Sequence, residues 1–155
     1  MSEMLANQYF MAREFEKANA ILEELLDPVH PHPYQLKKLI LCNVYMGRID
    51  AALTYFHRLI KTNIRVLTKT NIEAEDCPCK EIIAYIQQGN LDRLPESDKF
   101  KALGMLYLYC DVIKSVFYFN KSNQSNPDNE IPDIIRIIEK SITSTSKIEY
   151  SEIQS

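Results

Sequence analysis

Apolar positions between residues 3 and 64 recur at helical spacing, at i, i+3, i+4 and i+7, and the pattern breaks twice. The breaks fall near Arg13-Glu14 and at Gly47-Arg48, so this stretch predicts four helices joined as two hairpins. Gly47 suits a helix end because glycine takes positive φ without strain. Sliding the chain by 34 residues superposes Leu5 on Leu39, Phe15 on Ile49, Ala18 on Ala52, Leu22 on Phe56, Leu25 on Leu59 and Leu26 on Ile60. Glu16 falls on Asp50 in the same register. Ala18 and Ala52 sit on the second helix of each hairpin, where a methyl side chain lets two antiparallel helices approach to the short end of the usual ~8–10 Å.

A third copy does not follow at the same period. Gly89-Asn90-Leu91-Asp92 instead echoes Gly47-Arg48-Ile49-Asp50 at a spacing of 42, which places an insert of eight residues within 63–78. That insert carries Thr68, Thr70 and Asn71, then Glu73, Glu75, Asp76 and Pro78, and reads as a loop. Lys80 to Gln88 predicts a short helix. Ser97 or Asp98 caps the next one, which is expected to run to about Phe119 with Gly104 as a candidate kink. Ser122 to Asp128 predicts a loop. Pro132 suits the first turn of a final helix ending near Ser141, with Ile134, Ile135, Ile137 and Ile138 as its apolar side. From Thr143 the Ser/Thr-rich sequence has little to bury, so the expected organisation is a helical domain over 1–142 and a flexible tail over 143–155.

The pattern Ala12-x-x-Phe15-x-x-Ala18, and Gly47-x-Ile49-x-x-Ala52 after it, resembles the tetratricopeptide repeat (TPR), whose period is 34 residues. Leu5-Ala6-x-x-Tyr9 resembles its first-helix signature, and Leu36, Leu39 and Ile40 occupy the equivalent face in the second copy. The resemblance covers residues 2–64. Leu36 stands at the repeat's tryptophan position and Asn43 at its tyrosine position; the closing proline is displaced to Pro28 or Pro31 and is missing near Ile64. The resemblance implies an all-α, TPR-like α-solenoid of stacked antiparallel helical hairpins. It would have about two regular repeats, a degenerate third unit over 79–119 and a capping helix over 131–141, since stacked units bury what one hairpin cannot.

It also implies a non-enzymatic protein–protein interaction module, in which the first helix of each pair lines a concave groove for a partner segment. Asn7, Phe10 and Met11 would line that groove in the first copy, and Tyr34, Lys37, Leu41, Val44 and Tyr45 in the second. Family members that clamp a terminal carboxylate use Lys and Asn at set positions. Here only Asn7 matches, with Glu3 and Lys38 at the other two, so an extended peptide or a helix is the expected occupant. A secretion-type TPR chaperone, similar in size and repeat number, is an alternative reading.

Composition changes this picture in three places. The net charge of -3 is unevenly spread: residues 28–72 carry seven bases and one acid. Arg58, Lys61, Arg65 and Lys69 fall at spacings of three and four with no acid between them, which reads as a solvated face or a patch for an acidic protein segment. The overall acidic balance argues against nucleic acid. The four cysteines do not form a disulfide framework, so a reducing cytoplasm is expected. Cys42 and Cys110 read as buried thiols. Cys77 and Cys79 read as exposed loop thiols beside a helix N-terminus, or with His30 and His32 as a formal zinc set at unusual spacing. Third, Tyr107, Tyr109, Phe117, Tyr118 and Phe119 crowd one stretch, so the 98–119 helix is either core or a homotypic interface of a self-assembling structural component.

The remaining chemistry is sparse. Apart from the His30/His32 pair, the chain has only His57, and it shows no Gly-x-Ser-x-Gly elbow and no glycine-rich phosphate loop; neither an enzyme nor a bound cofactor is expected. The start shows no basic-then-apolar signal pattern, and the longest apolar run, Ala102 to Cys110, is too short for a membrane span.

Overall fold

Ser2 opens the chain's first helix by accepting a hydrogen bond from the Leu5 amide. The structure, a computed structural model, describes the backbone of residues 2–154 and the side chains of residues 2–143. Among the described residues all regular structure is helical: α1 (Glu3–Met11), α2 (Phe15–Leu25), α3 (Pro33–Tyr45), α4 (Ile49–Asn63), α5 (Arg65–Thr68), α6 (Cys79–Gln87), α7 (Glu96–Tyr107), α8 (Val112–Ser125) and α9 (Glu130–Gln154). The side chains beyond residue 143, where the sequence predicts a flexible tail, lie outside the described residues.

Three turns share one geometry. Arg13, Gly47 and Gly89 all have positive φ, at 65°, 78° and 93°. At each, the next amide reaches back five residues: Glu14 N to Tyr9 O (2.9 Å), Arg48 N to Asn43 O (2.8 Å) and Asn90 N to Tyr85 O (3.4 Å). This is the left-handed helix ending that satisfies the last free carbonyls. The residue two positions after each turn, Phe15, Ile49 or Leu91, is buried. The echo of Gly47 at Gly89 is therefore a structural equivalence. After Leu91 the copies diverge, because Pro95 lacks an amide hydrogen and disfavours helix just before it; α7 starts only at Glu96.

The hairpins pack side by side. α1 lies on α2, α2 on α3, and α3 on α4; α6 then meets α3 while α7 meets α4. Ala18 and Ala52 have no exposed surface, and Leu22, Leu39, Phe56 and Leu59 are fully buried beside them. Asn43 is polar but buried: its amide donates to Asn19 Oδ1 (2.9 Å) and to Leu39 O (2.7 Å), tying α3 to α2. α9 packs on α4 and α8 through Ile131, Ile134 and Ile138, and His57 of α4 bonds Asp133 of α9 at 2.7 Å.

One expected helix is two. The stretch expected to run unbroken to Phe119 turns at 108–111, and α7 and α8 fold back on each other as a hairpin. Asp111 breaks it by capping α8, its carboxylate accepting from the Lys114 amide. Gly104 does not kink α7; it seats Phe119, whose ring would stand 2.9 Å from any Cβ added there. Helix α7 also begins earlier than expected, with Pro95 rather than Ser97 or Asp98 at its cap, and α8 takes up Ser122 to Ser125 from the predicted loop.

Candidate peptide-binding groove

Helices α1 and α3, the first of each N-terminal hairpin, flank a cavity of about 220 Å³ lined by Phe10, Tyr34, Lys37, Lys38, Leu41, Glu75 and Cys77. Pro33 and His32 start α3 at its rim: proline sits in the first turn, and His32 Nδ1 accepts from the Tyr34 amide at 3.2 Å. Two successive lysines then point into the same space. Lys37 Nζ donates to Glu75 Oε1 at 2.6 Å and lies 5.7 Å from the Tyr34 ring centre. Lys38 Nζ donates to Asn7 Oδ1 and lies 5.8 Å from the Phe10 ring centre. Burial pushes the Lys38 ammonium below the ordinary lysine value, with the carboxylates of Glu3 and Glu75 pulling the other way. The floor is fixed from behind, where the buried Tyr109 hydroxyl donates to Lys37 O at 2.7 Å.

The insert crosses one side of this cavity. Glu75 Oε2 accepts from the Asn71 amide at 2.7 Å, and Asn71 Oδ1 accepts from the Ala74 amide at 3.0 Å, so the segment folds on itself. Arg13 anchors it, bonding Asp76 Oδ1 at 3.1 Å, the Asp76 carbonyl at 3.2 Å and Glu81 Oε1 at 2.8 Å. A non-glycine residue in the left-handed region costs about 1–2 kcal/mol, so Arg13 occupies its turn against backbone preference and is held by these carboxylates. Arg13→Gly is expected to leave overall stability within ~1 kcal/mol, strain relief offsetting the lost ion pairs. The insert should loosen: a glutamate-specific protease should cut at Glu73 and Glu75 about fivefold faster, for roughly 1 kcal/mol of lost local restraint. An unchanged cleavage rate would show that Arg13 does not hold the segment.

Of the groove residues expected from sequence, Phe10, Tyr34, Lys37 and Leu41 line the cavity, and Asn7 reaches it through Lys38. Met11 is exposed and lies outside the lining. Val44 is fully buried and cannot meet a partner. Tyr45 is sandwiched between Phe15 and Tyr85, at ring-centre distances of 4.8 and 4.6 Å, so it joins neighbouring hairpins. Glu75 and Cys77 are the lining residues not anticipated, and Lys38 entered the sequence reading only as a mismatch at a clamp position. Lys38 follows directly from Lys37 in the sequence, whereas nothing local shows that the insert returns to α3.

The basic row is exposed but not continuous. Helix α4 ends at Asn63, so Arg58 and Lys61 ride on α4, Arg65 on α5 and Lys69 beyond it. Arg58 already serves the inter-hairpin loop, donating to Pro28 O at 2.5 Å. The thiols also differ from expectation. Cys77 and Cys79 are buried, because the insert folds back onto α3, and Cys110 is exposed, because it sits in the α7–α8 turn rather than mid-helix. Among the described residues no group of three or more His, Cys, Asp or Glu is arranged to hold a metal ion, and no helix is long and apolar enough to cross a membrane. The chain matches no protein-family model, no curated protein and no solved structure.

Proposed function

We propose that this chain is a non-enzymatic, TPR-like helical scaffold that grips an extended peptide segment of another protein in the α1–α3 groove. A carboxylate of that segment would meet Lys38 while an apolar side chain enters beside Phe10 and Leu41. The observation that carries this reading is the cavity, where paired lysines stand among Phe10, Tyr34 and Leu41 and one lysine already holds the chain's own Glu75. Mixed apolar and cationic lining is what recognition of an acidic, apolar-anchored peptide needs.

The test uses a displayed library of random short peptides selected on the full chain. Enrichment of sequences with Asp or Glu next to an apolar residue is expected. The variant Lys38→Gln with Tyr34→Ala alters two residues that are not core, so the fold should persist. Loss of a charge-assisted hydrogen bond, about 1.5–3 kcal/mol, should weaken the selected peptides by at least about tenfold. Absence of enrichment, or equal affinity for the variant, rejects the groove.

A second reading has one observation in its favour. Ile113 and Phe117, one helical turn apart on α8, are 67% and 51% exposed, which suits self-association through that face. A strictly monomeric mass by light scattering at high concentration would exclude it.

A further inference from the structure

The tip of the insert lies on the surface. Ile72 before it is half-buried and Cys77 after it is buried, but Glu73, Ala74, Glu75 and Asp76 between them are exposed. The tip therefore holds to the body by charge rather than by apolar packing. Arg13 takes Asp76 at 3.1 Å, and Lys37 takes Glu75 at 2.6 Å. The Glu75 carboxylate has a second bond, from the Asn71 amide at 2.7 Å, which closes the turn over residues 71–75. Its side chain is 33% exposed, so solvent reaches it.

Lys37 is placed differently. Only 6% of its side chain is exposed; Glu75 is the carboxylate that meets its ammonium, and the Tyr34 ring centre lies 5.7 Å away. Stripping a buried ammonium of its counter-charge costs several times what an exposed ion pair contributes. Glu75 can therefore leave at small cost only when another carboxylate takes its place. Lys38 stands on the α1 side of the groove, its Nζ bonded to the neutral amide oxygen of Asn7. The groove thus offers two ammoniums, one towards α1 and one towards the insert, in the same lining as Phe10 and Leu41.

We propose that Glu75 is a built-in stand-in for an acidic side chain of the partner, and that the segment taken by the groove carries two acidic residues about an apolar one. The inference rests on the groove reading and names both the partner's chemistry and the control of the site. One acid meets Lys38, the other replaces Glu75 on Lys37, and the apolar side chain enters beside Phe10 and Leu41. Because one carboxylate is exchanged for another, no buried charge is stranded. A segment with a single acid leaves Glu75 in place and has only Lys38 to meet. As Glu75 departs, its bond from the Asn71 amide goes too, and the 71–75 turn opens while Arg13 keeps Asp76.

The experiment selects displayed random peptides on the full chain and on Glu75→Gln, whose uncharged amide still accepts a hydrogen bond from Lys37. Glu75 is exposed, so the variant should fold. Peptides with two acids about an apolar residue are expected from both proteins. They should bind the variant about fivefold tighter, as when Glu75 leaves the site free in about a fifth of the parent molecules. Lys37→Met should erase the benefit of one of the two acids. A selected peptide made with aspartate as its only acid is then added to the parent chain. A glutamate-specific protease should now cut at Glu73 and Glu75 about threefold faster, since binding opens the turn. Selection of single-acid peptides, affinity for the variant no higher than for the parent, or unchanged or slower cleavage on binding would overturn the proposal and leave the groove standing. Failure to select any peptide on either protein would overturn the groove and the proposal together.

Discussion

Truncating Phe119 to alanine is expected to lower the free energy of unfolding by about 3–5 kcal/mol, the range for removing a buried aromatic ring. For a domain of this size that corresponds to a fall in melting temperature of about 6–20 °C. Phe119 has no exposed surface and reaches from α8 to two other helices. Its ring centre lies 5.5 Å from that of Phe56 on α4, and its face closes over Gly104 on α7. The α7–α8 crossing is close because its contact residues are small. Ser115 Oγ donates to Gly104 O at 2.6 Å, and Ser122 Oγ donates to Ser97 O at 3.0 Å. With no room to relax, the hole left by alanine should stay largely open. The reverse change confirms the geometry: Gly104→Ala places a methyl 2.9 Å from the ring and should cost about 1–3 kcal/mol by overpacking. Phe119→Leu in the Gly104→Ala background should cost clearly less than the two single costs summed. Urea unfolding of the four proteins measures this, and strict additivity would mean that the two residues do not meet.

The elements that were legible in sequence are those where a local rule and the tertiary structure agree. Ala18, Ala52, Phe15 and Ile49 are buried as the 34-residue register requires, and Gly47 and Gly89 end helices where positive φ is needed. Arg13 takes the same backbone state without being glycine, so only its position in the register gave it away. The α7–α8 turn was hidden because Leu108 and Tyr109 in it are themselves buried, keeping the apolar pattern unbroken through a reversal of the chain. Asp111 carried the only local signal, an N-cap ahead of Val112. Half of the groove was visible through the resemblance to the tetratricopeptide repeat, which implies that the first helix of each pair lines a groove and so singles out Phe10, Tyr34, Lys37 and Leu41, all of which line the cavity. Its other wall was not. The insert is fixed by contacts at long separation, Arg13 to Asp76 and Lys37 to Glu75, and no local pattern encodes those pairings. The same return of the insert buried Cys77 and Cys79, reversing the expected exposure of the thiols.

Asp128→Ala is expected to cost about 2–3 kcal/mol, while Lys101→Met at the other end of the same ion pair should stay within ~1 kcal/mol of the parent. Lys101 rises from α7 with 6% of its side chain exposed, and its Nζ meets Asp128 Oδ2 at 3.0 Å and Asp98 Oδ1 at 3.8 Å. Asp128 also accepts from the Glu130 amide at 3.0 Å, which caps the start of α9. Removing Asp128 therefore strands a buried ammonium with only a distant partner and uncaps a helix, the cap alone contributing ~1 kcal/mol. Asp128 is itself a third exposed, so water softens the loss below the ~3–5 kcal/mol seen for fully buried pairs. Lys101→Met instead keeps the buried stem and leaves behind a carboxylate that water and the Glu130 amide still serve. Acid unfolding tests the same carboxylate. Its bond from the Glu130 amide, and then Lys101, hold Asp128 below the usual 3.8. Its stabilisation is thus complete above 3.8 and fades as pH falls through the lowered value. Asp128→Asn should flatten that part of the stability curve, and equal losses from Asp128→Ala and Lys101→Met would show that burial of the lysine does not decide the outcome.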